Sequence, residues 1–158
     1  MKLQSIHITL AETPTEIEAV RDLLTYYGEL RNHDAALGDY PAELAALSEK
    51  YASPQGCLLL AKYEQQALGC VAFQALAADI CEMKRMFVLP DYQGQGIGFR
   101  LVERLLLEAQ NAGYQIMRLD THPTMHRAAK LYQSMGFYPI SRYNHNPTPG
   151  IRFFEKKL

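Results

Sequence analysis

Between Leu89 and Leu106 the run LPDYQGQGIGFRLVERLL sets Gly94, Gly96 and Gly98 at every second position and then passes directly into a helical pattern. Glycines let main-chain N–H groups approach a ligand closely. A helix N-terminus leaves its first N–H groups unpaired and partly positive. The two together suit an anion, a phosphate above all. A second group of reactive side chains lies just upstream in ICEMKRMFVL. A strand alternates faces, so Glu82 and Lys84 are expected on one side and Cys81, Met83 and Arg85 on the other. Consecutive cations in an otherwise apolar strand are costly without a partner. Either Glu82 and Lys84 pair with neighbouring strands, or Lys84 or Arg85, joined by Arg118 or Arg127, forms a site for an anionic group of a substrate.

Two phosphate-binding motifs are excluded. No GxxxxGK[ST] occurs, because Gly98 is followed by Phe99 and Arg100. Gly94-Gln95-Gly96 begins a dinucleotide fingerprint and Asp120 stands where its ribose-binding acid would be. But the third glycine comes one residue early, and the loop follows antiparallel strands rather than opening a parallel βαβ unit. His122 and His126 are four apart, yet no third ligand recurs nearby and no H-E-x-x-H appears, so no metal site is expected. His7, His33 and His145 carry no motif.

The elements that must position these residues follow from periodicity. LQSIHITL reads as a strand. A helix follows, with Thr13 as N-cap, Pro14 in the first turn, Glu16 completing a capping box, and an apolar stripe through Ile17, Val20, Leu23, Leu24 and Tyr27. Pro41 opens a shorter helix through about Tyr51. GCLLLAKY, QALGCVAFQAL and ICEMKRMFVL are three strands, the first two joined by a polar turn at Glu64-Gln65-Gln66. From Phe99 to Ala112 the apolar residues Leu101, Val102, Leu105, Leu106 and Ala109 share a helical face, and Gly113 ends it. YQIMRLDT is a strand, PTMHRAAKLYQSMG a helix, and FYPISRY and IRFFEKKL a final pair of strands. The fold class is α+β: a central mixed, mostly antiparallel sheet of about seven strands flanked by about four helices, in one domain over 1–158.

Composition narrows the function. The chain has 158 residues, 48% hydrophobic and 21% charged, with formal net charge −1. That balance gives no footprint for nucleic acid or an anionic membrane. Cys57, Cys70 and Cys81 are odd in number, form no CxxC pair and sit in apolar runs, which suits buried thiols in a reducing compartment. No run approaches the ~18 apolar residues of a membrane span, so the expected location is cytoplasmic.

The segment Gln93-Gly94-Gln95-Gly96-Ile97-Gly98 resembles the acetyl-CoA signature [RQ]-x-x-G-x-[GA] of the GCN5-related N-acetyltransferases. Ala128, Leu131, Tyr132, Gly136 and Phe137 resemble the family's A-x-x-L-Y-x-x-x-G-F segment, and the succession of elements is the family's. The resemblance implies acetyl transfer from acetyl-CoA to an amine by direct attack. It places the cofactor along Phe87, Val88 and Gln93 to Gly98. Met125 stands where many members carry Asn, and Gln93 where many carry Arg. No nucleophile motif surrounds the cysteines or Ser134, which agrees with direct attack. An alkyl ammonium of pKa ~10.4 must lose a proton to react, and Glu82 is the candidate base. Tyr132 is the family's candidate acid for the departing thiolate. The expected acceptor is a small amine, with Lys84 and Arg85 suiting one that also bears an anion. A homodimer is compatible with the sequence. A non-catalytic acyl-CoA sensor and a protein or peptide acetyltransferase are the alternatives.

Overall fold

The computed structural model describes residues 2–32 and 34–158, so His33 lies outside the described residues. Seven strands form one sheet: β1 (Ile6–Leu10), β2 (Cys57–Tyr63), β3 (Gln66–Ala75), β4 (Ile80–Val88), β5 (Ile116–Thr121), β6 (Tyr138–Ile140) and β7 (Arg152–Lys157), in the order β1-β2-β3-β4-β5-β7-β6. All neighbours run antiparallel except β4 and β5. Among the described residues five α-helices cover it: α1 (Pro14–Leu30), α2 (Tyr40–Ala45), α3 (Leu47–Lys50), α4 (Ile97–Asn111) and α5 (His126–Ser134).

Each face of the sheet has its own core. Leu59, Val71, Phe73 and Met117 meet Leu101, Leu105 and Tyr132 from α4 and α5 on one side. On the other, Leu58, Leu60, Cys70 and Ala72 meet Val20, Leu24, Tyr40 and Leu47 from α1, α2 and α3. Helix α1 starts as its sequence demands: Thr13 Oγ1 accepts from the Glu16 N–H at 3.2 Å, and Glu16 accepts from the Thr13 N–H at 3.0 Å. Three boundaries differ from expectation. Leu3–Ser5 form a short 3₁₀ turn before β1. The second helix breaks at Ala46 into α2 and α3, giving five helices rather than four. Helix α5 begins three residues after Pro123, because a turn closed by the Met125 N–H on the His122 carbonyl replaces its first turn.

Two irregularities shape the site. In β4 the pairing with β3 jumps from Ala72↔Lys84 to Cys70↔Phe87, so Val71 faces two residues, with Arg85 at φ 60°. This is a β-bulge. It overturns the strict alternation expected there. Arg85 turns to the α1–α2 side, the side of Lys84, while Met83 stays in the opposite core. The second irregularity is a parting of strands. β4 and β5 pair only over Ile80↔Ile116, Cys81↔Met117 and Glu82↔Arg118, although both strands continue. Beyond that point they splay, and the gap opens a cleft through the sheet. Among the described residues no helix is long and apolar enough to cross a membrane.

Candidate active site

One half of the cleft belongs to the glycine loop. A cavity of about 430 Å³ is bounded by Met86, Phe87 and Val88 of β4, by the loop from Tyr92 to Phe99, and by Thr124 to Leu131 at the start of α5. Gly94 and Gly96 adopt φ +79° and +87°, a left-handed backbone that favours glycine. Gly96 is the N-cap of α4 and offers no side chain, so the first N–H groups of that helix are left to a ligand. A Cβ on Gly98 would lie 2.7 Å from Met86 Cε and 3.3 Å from Leu131 Cδ2, both on the cavity wall. The loop is therefore a cradle that a side chain would fill, and it suits the diphosphate arm of acetyl-CoA. Gln93 braces it by donating from Nε2 to the Val88 carbonyl at 2.9 Å. The guanidinium of Arg127 stands over Gly94, 3.2 Å from where a Cβ would sit, and brings a cation that Gln93 lacks.

The other half is a smaller cavity of about 80 Å³ that meets the first at Met86 and Met125. Lys84, Arg85, Leu119 and Asp120 line it from the sheet, Tyr27 from α1, Arg31 from just past that helix, and Tyr132 from α5. Met125, where the family often has Asn, precedes α5 and makes no side-chain cap. The junction of the two cavities is thus walled by thioethers.

Tyr132 is 5% exposed, with its ring edge-on to Phe137 at 5.8 Å. No side-chain hydrogen bond of its hydroxyl occurs among the described residues, and the side chain lines the smaller cavity. Burial raises its pKa, and the Tyr27 hydroxyl and the Asp120 charge add to that. It is therefore protonated at neutral pH.

Glu82 is equally buried but turned away from the cavity. Its Oε1 accepts from Gln74 Nε2 at 3.1 Å, and Lys84 Nζ lies at 3.8 Å. Its Oε2 accepts from the Tyr143 hydroxyl at 2.6 Å and from Asn144 Nδ2 at 3.3 Å. The same Asn144 nitrogen donates to Asp120 Oδ2 at 2.6 Å. The loop after β6 thereby ties the two carboxylates together. Arg85 is spoken for: its Nε and Nη2 donate to both oxygens of Glu43 at 2.7 and 2.8 Å. Arg31 pairs with Asp34 at 3.0 Å. Lys84 has the loosest partner of the three. Arg118 is bound to Glu155 at 2.9 Å and stacks on Tyr143, outside both cavities.

Asp120, Asn144, Tyr143 and Arg31 were not singled out by their sequence context as members of this site. Asp120 had the clearest signal, an acid ending an alternating strand. His122 holds Thr124 at 2.7 Å, and no group of three or more His, Cys, Asp or Glu able to hold a metal occurs among the described residues. All three cysteines are buried, and burial pushes each thiol up to about 12. None is a ready nucleophile.

The order of elements and the glycine cradle agree with the acetyltransferase family that the motifs resemble. Residues 20–137 match the model of the acetyltransferase (GNAT) family, and the chain belongs to that family. It is an acetyl-CoA-dependent N-acetyltransferase. An uncharacterized N-acetyltransferase of Schizosaccharomyces pombe is 33% identical over 100% of this chain and 98% of its own length. The N-acetylaspartate synthetase of Rattus norvegicus is 32% identical over 69% of this chain but only 37% of its own. A GNAT family acetyltransferase from Elizabethkingia anophelis, solved with acetyl-CoA bound, superposes with a TM-score of 0.68 at 24% identity, covering 98% of this chain and 99% of that one.

Proposed function

We propose that the acceptor is the amine of a small molecule that also carries a carboxylate or phosphate, and that 1–158 work as one cytoplasmic N-acetyltransferase domain. The observation carrying this reading is the lining of the smaller cavity. Lys84, Arg85 and Arg31 face Asp120 across about 80 Å³, a space of two or three waters. The reacting end of an amino acid, or of a larger amine that also carries a phosphate outside the cavity, matches both signs, whereas a polyamine meets like charge. Lys84 is the cation that binds the acceptor's anion. Arg85, its charge offset by Glu43, lines the cavity beside Lys84 and keeps the bulge in place. The N-acetylaspartate synthetase likeness points the same way, since the acid its name contains is an amine with carboxylates.

In this reading main-chain N–H groups from Gln93 to Gly98 hold the diphosphate, and Phe87 and Val88 flank the acyl arm. Tyr132 gives its proton to the departing sulfur. The amine's proton goes to the carboxylate pair that Asn144 joins, Glu82 and Asp120, through whichever member meets the amine. Gly98→Val tests the cofactor placement. The added methyls push on Met86 and Leu131 and enter the cavity. CoA affinity by calorimetric titration should fall at least tenfold in the folded variant, and unchanged affinity would refute the placement. Gly96 is the poorer probe, because its Cβ would meet Leu3 and its φ strains any side chain.

The acceptor is tested by letting glycine, L-aspartate, L-glutamate, glucosamine 6-phosphate, spermidine and kanamycin compete in one CoA-release assay. A carboxylate- or phosphate-bearing amine should win, and Lys84→Ala should raise its KM roughly tenfold. Preference for the polycations, undiminished in Lys84→Ala, would overturn the anionic acceptor. No CoA release with any amine would favour a sensor.

A further inference from the structure

We propose that Asp120, not Glu82, is the carboxylate that meets the acceptor amine and takes its proton; this deepens the acetyl-transfer reading above and rests on it. Glu82 has both oxygens occupied, by Gln74 on one and by Tyr143 and Asn144 on the other, and it does not reach either cavity. Asp120 lines the acceptor cavity, and only its Oδ2 is taken. Its Oδ1 has no hydrogen-bond partner among the described residues. That oxygen is the open end of an otherwise closed network.

The network is built to hold Asp120 in one pose. Asn144 Oδ1 accepts from the Asn146 N–H at 3.0 Å, which fixes which end of the amide is which. Its two hydrogens therefore point at Asp120 and Glu82, one each. Glu82 in turn is clamped by Tyr143, whose ring packs edge-on against Phe153 of β7 at 5.4 Å. Glu82 is thus a positioning residue, acting through Asn144. Placement on the strand supplies the rest. Asp120 lies on β5 beyond its last pair with β4, on the wall of the gap, and Tyr132 faces the same cavity from α5. A proton acceptor and an unpaired proton donor share one small cavity.

The protons balance. Asp120 takes one from the ammonium and leaves a neutral amine. The nitrogen forms its bond to the acyl carbon as the carbon–sulfur bond breaks, and the sulfur leaves with the electron pair. Tyr132 protonates that sulfur and recovers its own proton from the new amide nitrogen. Asp120 then returns its proton to water.

The test uses the best acceptor of the panel above with the full-length chain. Asp120→Asn keeps shape and the Asn144 contact, and kcat should fall at least ~10²-fold, as for a lost general base. Asp120→Ala should fall as far and recover tenfold or more with added formate, which fits the space vacated. Glu82→Gln should lose less, and Glu82→Ala should show no formate rescue, because Glu82 lies outside the acceptor cavity. Calorimetric affinity of the acceptor for the CoA complex should fall by no more than about tenfold in Asp120→Asn, well short of the loss in kcat. A folded Asp120→Asn enzyme within threefold of wild-type kcat overturns the assignment. So does a loss confined to acceptor affinity, which would make Asp120 an anchor for the ammonium. A wild-type chain inactive with every amine overturns both this inference and the acetyl-transfer reading, whereas an active wild type with an active Asp120→Asn overturns this one alone.

Discussion

Replacing Tyr132 by phenylalanine is expected to lower turnover roughly 10²-fold while leaving CoA affinity within twofold, the range usual for loss of a positioned general acid. The reasoning starts from packing. The ring of Tyr132 fills space among Ala129, Phe137 and the sheet, and phenylalanine fills it equally well. Only the hydroxyl is removed, and that hydroxyl bonds nothing else among the described residues, so stability should hold. Burial keeps it protonated well past neutral pH, the state a proton donor needs. Steady-state CoA release together with calorimetric CoA titration reads both quantities. Full turnover in the variant would mean that water protonates the sulfur and that Tyr132 is a packing residue only.

The second large effect concerns stability. Glu43→Ala should destabilise the fold by about 3–5 kcal/mol, the cost of removing one partner of a buried ion pair. Glu43 is 7% exposed and takes three charged or phenolic donors: Arg85 bidentately, Lys50 at 3.1 Å and the Tyr51 hydroxyl at 3.0 Å. Burial alone would raise its pKa. The hydrogen bond and charge of Arg85, with Lys50 behind them, outweigh that and hold it at about 2. The folded pKa lies below the unfolded one, so the carboxylate's contribution is complete above about pH 4.5 and is lost as pH falls through about 2. Urea unfolding of the wild type and Glu43→Gln should therefore show a gap at pH 7 that narrows toward pH 3. A gap independent of pH would mean that shape rather than charge holds Arg85 there.

How far such features were legible depends on how local their cause is. The glycine loop and the capping box of α1 announce themselves because Gly94, Gly96, Gly98, Thr13 and Glu16 act within a few residues of one another. Arg85 was misdirected for the opposite reason. Nothing in ICEMKRMFV breaks the alternation. The bulge arises only when Val71 of the neighbouring strand faces two residues, and Glu43, 42 positions away, receives the displaced cation. Asp120 gains its place from the divergence of β4 and β5 and from Asn144, 24 residues downstream. The break at Ala46 has no breaker residue at all. AELAALSEK favours helix throughout, and Leu47, fully buried against the α1 core, shows that packing overrode propensity.

Direct attack of the amine, with no acyl group passing through the protein, is the claim on which the roles of Tyr132 and Asp120 both depend. It is tested most directly by initial rates of CoA release across a matrix of acetyl-CoA and acceptor concentrations, joined to intact-mass measurement after acetyl-CoA alone. Intersecting double-reciprocal lines and an unmodified chain are expected, since Cys57, Cys70 and Cys81 are buried thiols of raised pKa. Parallel lines, with a stoichiometric acetyl adduct that the acceptor discharges, would contradict it.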